Sequence, residues 1–429
     1  MLKDTNARNK RLYIAEATLE YIIALLVEGA YLSRMTMAIG LSDTVTGIIH
    51  SILSLGNLFG LISMLITRRK MKKFVIGMSI ANQLMFMLLY VIPITGTAIP
   101  KGVKSAAFII LIIGAYLIYY IAHPKKINWL MSSVKDSERG SFTANKEIVS
   151  LVAGIAFNYI MGFVVDYYVA KDELKIAFII CGAVIFISSV FHTLMLFLYP
   201  EKEVEVSEEK KPTALKDIFS LFKDKSVMSI TVLFAIWYFA QKSTGAYLST
   251  YELKELQFTQ TFIAILTSLS SVARILFSRY FGRYADRHGF ASLLRICFAV
   301  AAVAYAAVIF ATPTTGKYCF VIFKVLTGVS MAGINSSVIN LVYDLVAKEK
   351  RANALALTQA VAGTVGFLSA LIVSPLVSYI QNAGNKFLGV SVYAQQVLAI
   401  ITTVITIIAL LYVQFVLMKI KKADSNESN

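Results

Sequence analysis

The chain has 429 residues, 57% of them apolar or aromatic and only 15% charged, with a mean hydropathy of +0.70. Those values exclude an ordinary soluble globular domain and place the chain in a bilayer. The formal net charge of +16 would suggest nucleic acid in a soluble protein, so the distribution of the basic residues decides its meaning here.

About twelve stretches can span ~30 Å of hydrocarbon as helices of ~20 residues. They lie at roughly 13–38, 44–67, 74–95, 105–134, 144–168, 174–199, 227–250, 257–281, 290–311, 318–346, 353–380 and 393–418. The first is not a signal peptide, because it carries Glu16, Glu20 and Glu28 and lacks a small-residue cleavage site. Basic residues sort by loop. With the N-terminus taken as cytoplasmic, the inner segments hold Lys3, Arg8, Lys10 and Arg11, then the run Arg68-Arg69-Lys70-Met71-Lys72-Lys73, then Lys135 and Arg139. The alternation continues through Lys202, Lys210, Lys211 and Lys216, through Arg283 and Arg287, through Lys348, Lys350 and Arg351, and ends at Lys419, Lys421 and Lys422. Outer loops carry one or two lysines each. This positive-inside bias puts both termini in the cytoplasm and accounts for the charge without nucleic acid.

The pentapeptide Gly29-Ala30-Tyr31-Leu32-Ser33 recurs as Gly245-Ala246-Tyr247-Leu248-Ser249, each copy in the first apolar segment of its half. Gly114-Ala115-Tyr116-Leu117 shows that such a match is cheap in apolar helices, but the register continues. Ser51 and Ser54 face Ser268 and Ser271, and Asn128 stands eleven residues before Arg139 as Asn340 does before Arg351. A duplicated membrane protein is the simplest reading, and two homologous halves point to a transporter. The expected organisation is a six-helix bundle at 1–200, a cytoplasmic linker at 201–226, a second six-helix bundle at 227–420 and a cytoplasmic tail at 421–429. The linker opens acidic and continues through Leu215, Ile218, Phe219 and Phe222 with lysines between them, the pattern of a helix lying on the membrane surface.

Cys181, Cys297 and Cys319 fall within apolar segments, and an odd count offers no disulfide framework. His50, His123, His192 and His288 sit on different elements without partners at metal-ligand spacing, so no metal and no cofactor is expected.

After the eighth segment the chain reads Gly282-Arg283-Tyr284-Ala285-Asp286-Arg287-His288-Gly289-Phe290. This resembles the inter-helix loop of the major facilitator superfamily, a glycine followed four residues later by Asp-Arg and then glycine. With twelve spans, a basic central loop and a half-chain repeat, the resemblance extends over essentially the whole chain. It implies an all-α integral membrane fold, twelve transmembrane helices in two pseudo-symmetric six-helix bundles, and secondary transport by alternating access. In the loop, Gly282 and Gly289 are expected to allow a tight turn, Asp286 to cap a neighbouring helix N-terminus as a gate, and Arg287 to stay at the cytoplasmic interface. The first half departs from the pattern: between Leu58 and Met78 there is no Asp, and the fifth segment offers Gly154 and Gly162 around Asn158 rather than the Gly-Pro pair of the family's drug and proton antiporters.

Ionisable and polar residues inside apolar segments are the substrate-level clues, because each is costly in hydrocarbon and must face a cavity or a partner. Glu28 lies near the middle of the first segment beside the repeated Tyr31, where members of the resembled family line the central cavity. It reads either as a carboxyl that binds and releases a coupling proton or as one neutralised by a structural cation. In the fourth segment, His123-Pro124-Lys125-Lys126 precedes Asn128 and Trp129; either lysine could attract an anionic group or pair with Glu16, Glu20 or Glu147. Tyr116, Tyr119 and Tyr120 are candidate stacking surfaces, with packing as the plainer role. Further candidates for binding or coupling are Asn57, Asn158, Lys242, Tyr247, Arg274 and Asn335. No His-Glu-x-x-His, Gly-x-Ser-x-Gly or P-loop supports an enzyme or an ATP-driven pump. The expected function is movement of a small polar or anionic organic solute with a proton, by a monomer in the plasma membrane. The alternatives are a drug or metabolite exporter and a non-transporting sensor or lipid scramblase.

Overall fold

The structure, a computed structural model, describes residues 2–56, 58–59, 71–134, 138–201, 220–347 and 350–420. The expectations for Asn57, for Arg68-Arg69-Lys70, for the amphipathic stretch of the linker up to Phe219 and for the 421–429 tail lie outside the described residues. The chain groups into two compact units, residues 1–211 with 258–264, and residues 212–257 with 265–429.

In the first unit the helices are α1 (Leu2–Leu26), α2 (Gly29–Ala38), α3 (Asp43–Ile52), α4 (Lys72–Ile94), α5 (Lys101–Met131), α6 (Arg139–Ala170) and α7 (Leu174–Leu198). In the second they are α8 (Lys225–Thr250), α9 (Gln260–His288, its first residues grouping with the first unit), α10 (Phe290–Ile309), α11 (Gly316–Leu345), α12 (Arg351–Asn382) and α13 (Ala394–Phe415). Taking α1 and α2 as one interrupted span, these helices are consistent with the twelve stretches read from hydropathy, the second of which is described only in part, and nine of the described helices are long and apolar enough to cross a membrane. Side chains close several ends. Ser42 accepts from the Val45 N–H at 3.3 Å, and Asp224 accepts from the N–H groups of Ser226 and Val227 at the start of α8. At the start of α9 the carboxylate of Asp166 accepts from the N–H groups of Gln260 and Thr261 at 2.7 and 2.8 Å, which ties residues 258–264 to the first unit. A short hairpin pairs β1 (Lys386–Phe387) with β2 (Val390–Ser391) between α12 and α13; hydropathy gave no sign of it.

The two units share one internal pattern. In the first, α1 packs on α6 and α7, and α4 on α5 and α7; in the second, α8 packs on α12 and α13, and α10 on α11 and α13. The repeated tyrosines make the same bond within their own units. Tyr31 donates to the main-chain oxygen of Asn158 at 3.5 Å, and Tyr247 to that of Ala370 at 2.8 Å. Asn158 and Ala370 each stand nineteen residues after the arginine that begins their helix. The half-chain repeat is therefore a repeat of packing as well as of sequence. Exposed apolar side chains such as Ile110, Phe163, Phe197 and Ile372 lie on outer faces that a bilayer covers.

Hydrogen-bonded hydroxyls tie the second unit together: Thr231 to Thr358 at 3.0 Å, and Thr402 to Ser243 and Thr244 at 3.1 and 2.6 Å. Small polar residues of this kind hold helices together where lipid removes the hydrophobic drive for association. Cys181 and Cys297 are buried and unpaired, as small core residues, and Cys319 is half-buried.

Candidate functional site

The first span is broken where Glu28 stands. Helix α1 ends at Leu26, Glu28 adopts an extended conformation (φ −125°, ψ 172°), and α2 restarts at Gly29 with φ +53°. That left-handed φ favours glycine. A break frees main-chain carbonyls that lipid cannot satisfy. Two tyrosines take them up: Tyr90 donates to the oxygen of Leu26, and Tyr116 to that of Val27 at 3.4 Å. The interruption is thus built into the wall of the unit, and it presents Glu28 from an unwound turn rather than from a helix face.

Beside the break lies a cavity of about 200 Å³ within the first unit. Its polar wall carries Glu20, Glu28, Asn82 and Gln83, and its aromatic wall Tyr116, Tyr119, Tyr120 and His123. The rings are ordered against one another, with Tyr119 stacked on His123 at 4.7 Å and edge-on to Tyr120 at 5.2 Å. Tyr120 is held by donating to the oxygen of Leu53 at 3.0 Å, and its ring fills the space over Gly56, where an added methyl group would lie 2.0 Å from it. Asn82 is spent on structure, donating to the Ala115 oxygen at 2.8 Å. A second crevice of about 260 Å³, walled by apolar residues such as Ile80, Leu84, Met87 and Phe186, shares Gln83.

Behind the cavity is a buried charge network. The ammonium of Lys126 donates to Glu16 at 2.6 Å and to Glu20, which also faces the cavity and lies 3.6 Å from His123. His192 contacts Glu16 through Nε2 at 2.9 Å and Gln83 through Nδ1 at 2.7 Å. Glu16, Lys126 and His192 are 1%, 3% and 0% exposed. Glu16, Glu20 and His192 bring ligand atoms within 4.8 Å of one another, an assembly that sequence spacing does not reveal. The Lys126 ammonium supplies its positive charge. Pro124 lies within α5, two residues before this lysine, without ending the helix.

The model of the Major Facilitator Superfamily matches residues 39–370 and 253–428. The chain belongs to that superfamily. Solved transporters of like fold include a variant of the nucleoside transporter NupG (TM-score 0.73, 16% identity, covering 95% of this chain and 99% of that one). A bacterial homologue of the iron transporter ferroportin in its inward-facing state also matches (0.68, 14%, 96% and 99%). So does a bacterial homologue of the human lysosomal transporter Spinster (0.65, 14%, 96% and 96%). No curated protein sequence matches the chain significantly. The protein is therefore a multi-pass membrane transporter of the facilitator superfamily, and not an enzyme.

Of the residues singled out in the sequence of this superfamily member, Glu20, Glu28, Tyr116, Tyr119 and Tyr120 line the cavity, and Lys126 meets it only through Glu20. Lys125 is half-buried and off the wall. Trp129 is a packing residue, its indole N–H donating to the Pro200 oxygen at 3.2 Å and its ring edge-on to Tyr199. Tyr31, Asn158 and Tyr247 serve the inter-helix bonds described above. In the second unit Lys242 and Arg274 are half-buried and Asn335 is exposed. The expected turn at 282–289 is corrected: α9 continues as helix to His288, so Gly282 sits inside it with open space around it. Gly289 alone makes the turn, at φ +85°. Asp286 and Arg287 are exposed in the last turn of α9, where the basic Arg287 and His288 complement the helix C-terminus. Sequence reasoning named Glu16 and Glu20 as partners for a lysine of the fourth segment, which Lys126 bears out; it passed over Asn82 and Gln83, adjacent amides in the apolar run of α4 whose depth was the available signal, and did not connect His192 to the network.

Proposed function

We propose that this transporter moves a small, polar, uncharged organic solute with a planar ring, coupled to protons, by alternating access. The observation that carries the reading is the cavity itself, lined by the rings of Tyr116, Tyr119, Tyr120 and His123 together with carboxylates and amides. Aromatic walls suit a flat ring, and Glu20, Glu28 and Gln83 suit hydroxyl and N–H groups. Among the described residues the wall carries two carboxylates and no lysine or arginine, which supports the polar over the anionic class of solute. Nucleosides have this chemistry, and the fold likeness to a nucleoside transporter makes them the first probes. Glu28 is the group that takes the coupling proton, because a carboxyl on an unwound turn in a cavity exchanges protons with water and solute without unfolding a helix. The sorted basic loops support a plasma-membrane protein with both termini cytoplasmic.

The test is uptake of radiolabelled uridine and a panel of other polar and anionic solutes into proteoliposomes with an imposed pH gradient. Glu28→Gln should abolish gradient-driven accumulation and retain counterflow exchange, since exchange needs binding and rocking without net proton movement. Normal gradient-driven uptake by Glu28→Gln would refute the assignment.

A further inference from the structure

We infer that the N-terminal part of α1 and the C-terminal end of α7 form a binding site for one anionic phospholipid, its phosphate on Arg8 and Arg11 and an acyl chain in the crevice beside them. A cavity of about 510 Å³ lies there, lined by Ala7, Arg8, Arg11, Leu12 and Ala15 of α1 and by Met195 of α7. Helical spacing explains the lining. Arg8, Arg11 and Ala15 stand three and four residues apart and so share one face of α1. The two alanines leave room that longer side chains would fill.

The crevice is separate from the charge network and from the solute cavity. Tyr13, Glu16 and Glu20 point elsewhere from α1, Tyr13 into the apolar cluster with Trp129 and Tyr199 and the two carboxylates toward Lys126. On α7, Leu196 is buried in that same cluster, while Leu194 and Leu198 are 43% and 42% exposed, among the apolar side chains that a bilayer covers. Met195, half-buried, stands between these two sides, so the crevice opens to lipid.

Charge selects the occupant. Among the described residues Lys10 is paired with Glu138, whereas Arg8 and Arg11 are exposed and make no salt bridge. A guanidinium presents its donors as a fork that fits phosphate oxygens in pairs. Depth orders the rest: the apolar run of the first span begins near Tyr13, which sets the arginines at headgroup level and Leu12, Ala15 and Met195 where hydrocarbon begins. Basic pockets between helices at the membrane surface hold anionic headgroups in this way. A soluble phosphate would use the arginines and leave the apolar floor bare. The acidic stretch at 201–209, which follows α7, offers carboxylates but only Val204 and Val206 to cover that floor. Which leaflet supplies the lipid rests on the proposed cytoplasmic termini; the binding does not.

Native mass spectrometry of the detergent-purified full-length protein, titrated with dioleoyl phosphatidylglycerol, tests the site. One molecule should bind ahead of the rest, and dioleoyl phosphatidylcholine should not displace it. Arg8→Gln/Arg11→Gln should weaken that first binding roughly fivefold per arginine; both side chains are exposed, so the helix stays intact. Lys223→Gln/Lys225→Gln removes the same charge from exposed positions beside the start of α8 and should leave the first binding unchanged. Equal losses in the two double variants would mean attraction to diffuse basic charge and would overturn the site. Ala15→Leu keeps both arginines, fills the floor and should weaken phosphatidylglycerol several-fold. Wild-type affinity in Ala15→Leu, or displacement of the lipid by millimolar inorganic phosphate, would give the arginines to a soluble anion and overturn the inference. Replacing Glu203, Glu205, Glu208 and Glu209 by glutamine should change nothing; a marked gain in phosphatidylglycerol affinity would make the linker the occupant instead.

Discussion

Removing the ammonium of Lys126 should be among the most destabilising single changes in the first unit, and removing Glu16 with it should restore much of the loss. The Lys126–Glu16 pair is 2.6 Å long, with side chains 3% and 2% exposed, and Glu20 shares the same ammonium. Lys126→Met leaves two carboxylates facing one another without a counter-charge. Breaking a buried pair from one side costs about 3–5 kcal/mol. Like charges ~4 Å apart repel by about 4 kcal/mol at an effective dielectric constant of ~20, which agrees. In Glu16→Gln/Lys126→Met only Glu20 stays charged; its side chain is 22% exposed and faces the cavity, where water reaches it. Thermal unfolding of the detergent-purified protein reads the difference. For a bundle of this size the single variant should melt on the order of 10 °C below wild type, with the double variant recovering more than half of that. A Lys126→Met protein that melts within about 2 °C of wild type would refute the buried network, and so would a double variant no better than the single.

The repeated glycines should respond with opposite signs. Gly29→Ala costs about 1–2 kcal/mol because φ is +53°, although nothing lies within 4 Å of the added methyl group. Gly245→Ala, in the interior of α8 with the same open space, should stabilise by about 0.5–1 kcal/mol; paired thermal melts check both. Gly56→Ala drives the Tyr120 ring from its place and breaks its bond to Leu53, so uridine affinity should fall several-fold in equilibrium dialysis while the helical circular dichroism stays constant. Asp286→Asn should leave the melting temperature unchanged, since the carboxylate is exposed. It should slow uptake if the loop gates the cycle, and wild-type uptake rates would remove that role.

The spans were legible because their signal is long. Twenty apolar residues between basic loops fix a helix to within a few positions, and α4 to α8 and α10 to α13 lie close to the stretches read from hydropathy. The break at Glu28 was not legible, since two residues of altered backbone leave no trace in an average over twenty. Gly29 was the available hint, and Gly245, followed by the same four residues, continues as helix. The network was legible only in part, as one of two readings for the lysines of the fourth segment, and for another reason. Lys126 and Glu16 are 110 residues apart and His192 and Glu16 176, so only the packing of α1 on α7, and the reach of Lys126 from α5, brings them together. The glycine turn was overextended, because a motif fixes residue types without saying which glycine adopts positive φ.

Duplication makes the asymmetry of charge informative. Carrying the pentapeptide register across the repeat sets Val232 opposite Glu16, Ile236 opposite Glu20 and Thr244 opposite Glu28; the register of the arginines sets Val338 opposite Lys126. Each charged member on α1 and α5, and the cavity carboxyl with them, thus has an uncharged counterpart. Thr244 occupies the place of Glu28 in an unbroken α8 and spends its hydroxyl on Thr402. The scaffold needs the repeated tyrosine bond, since both units keep it. It does not need the charges, since the second unit packs without them. A buried network that the fold can omit is costly to keep for stability alone, and its position directly behind the cavity, sharing Glu20 and Gln83 with the wall, is the feature that supports the first unit as the site of the proposed proton coupling.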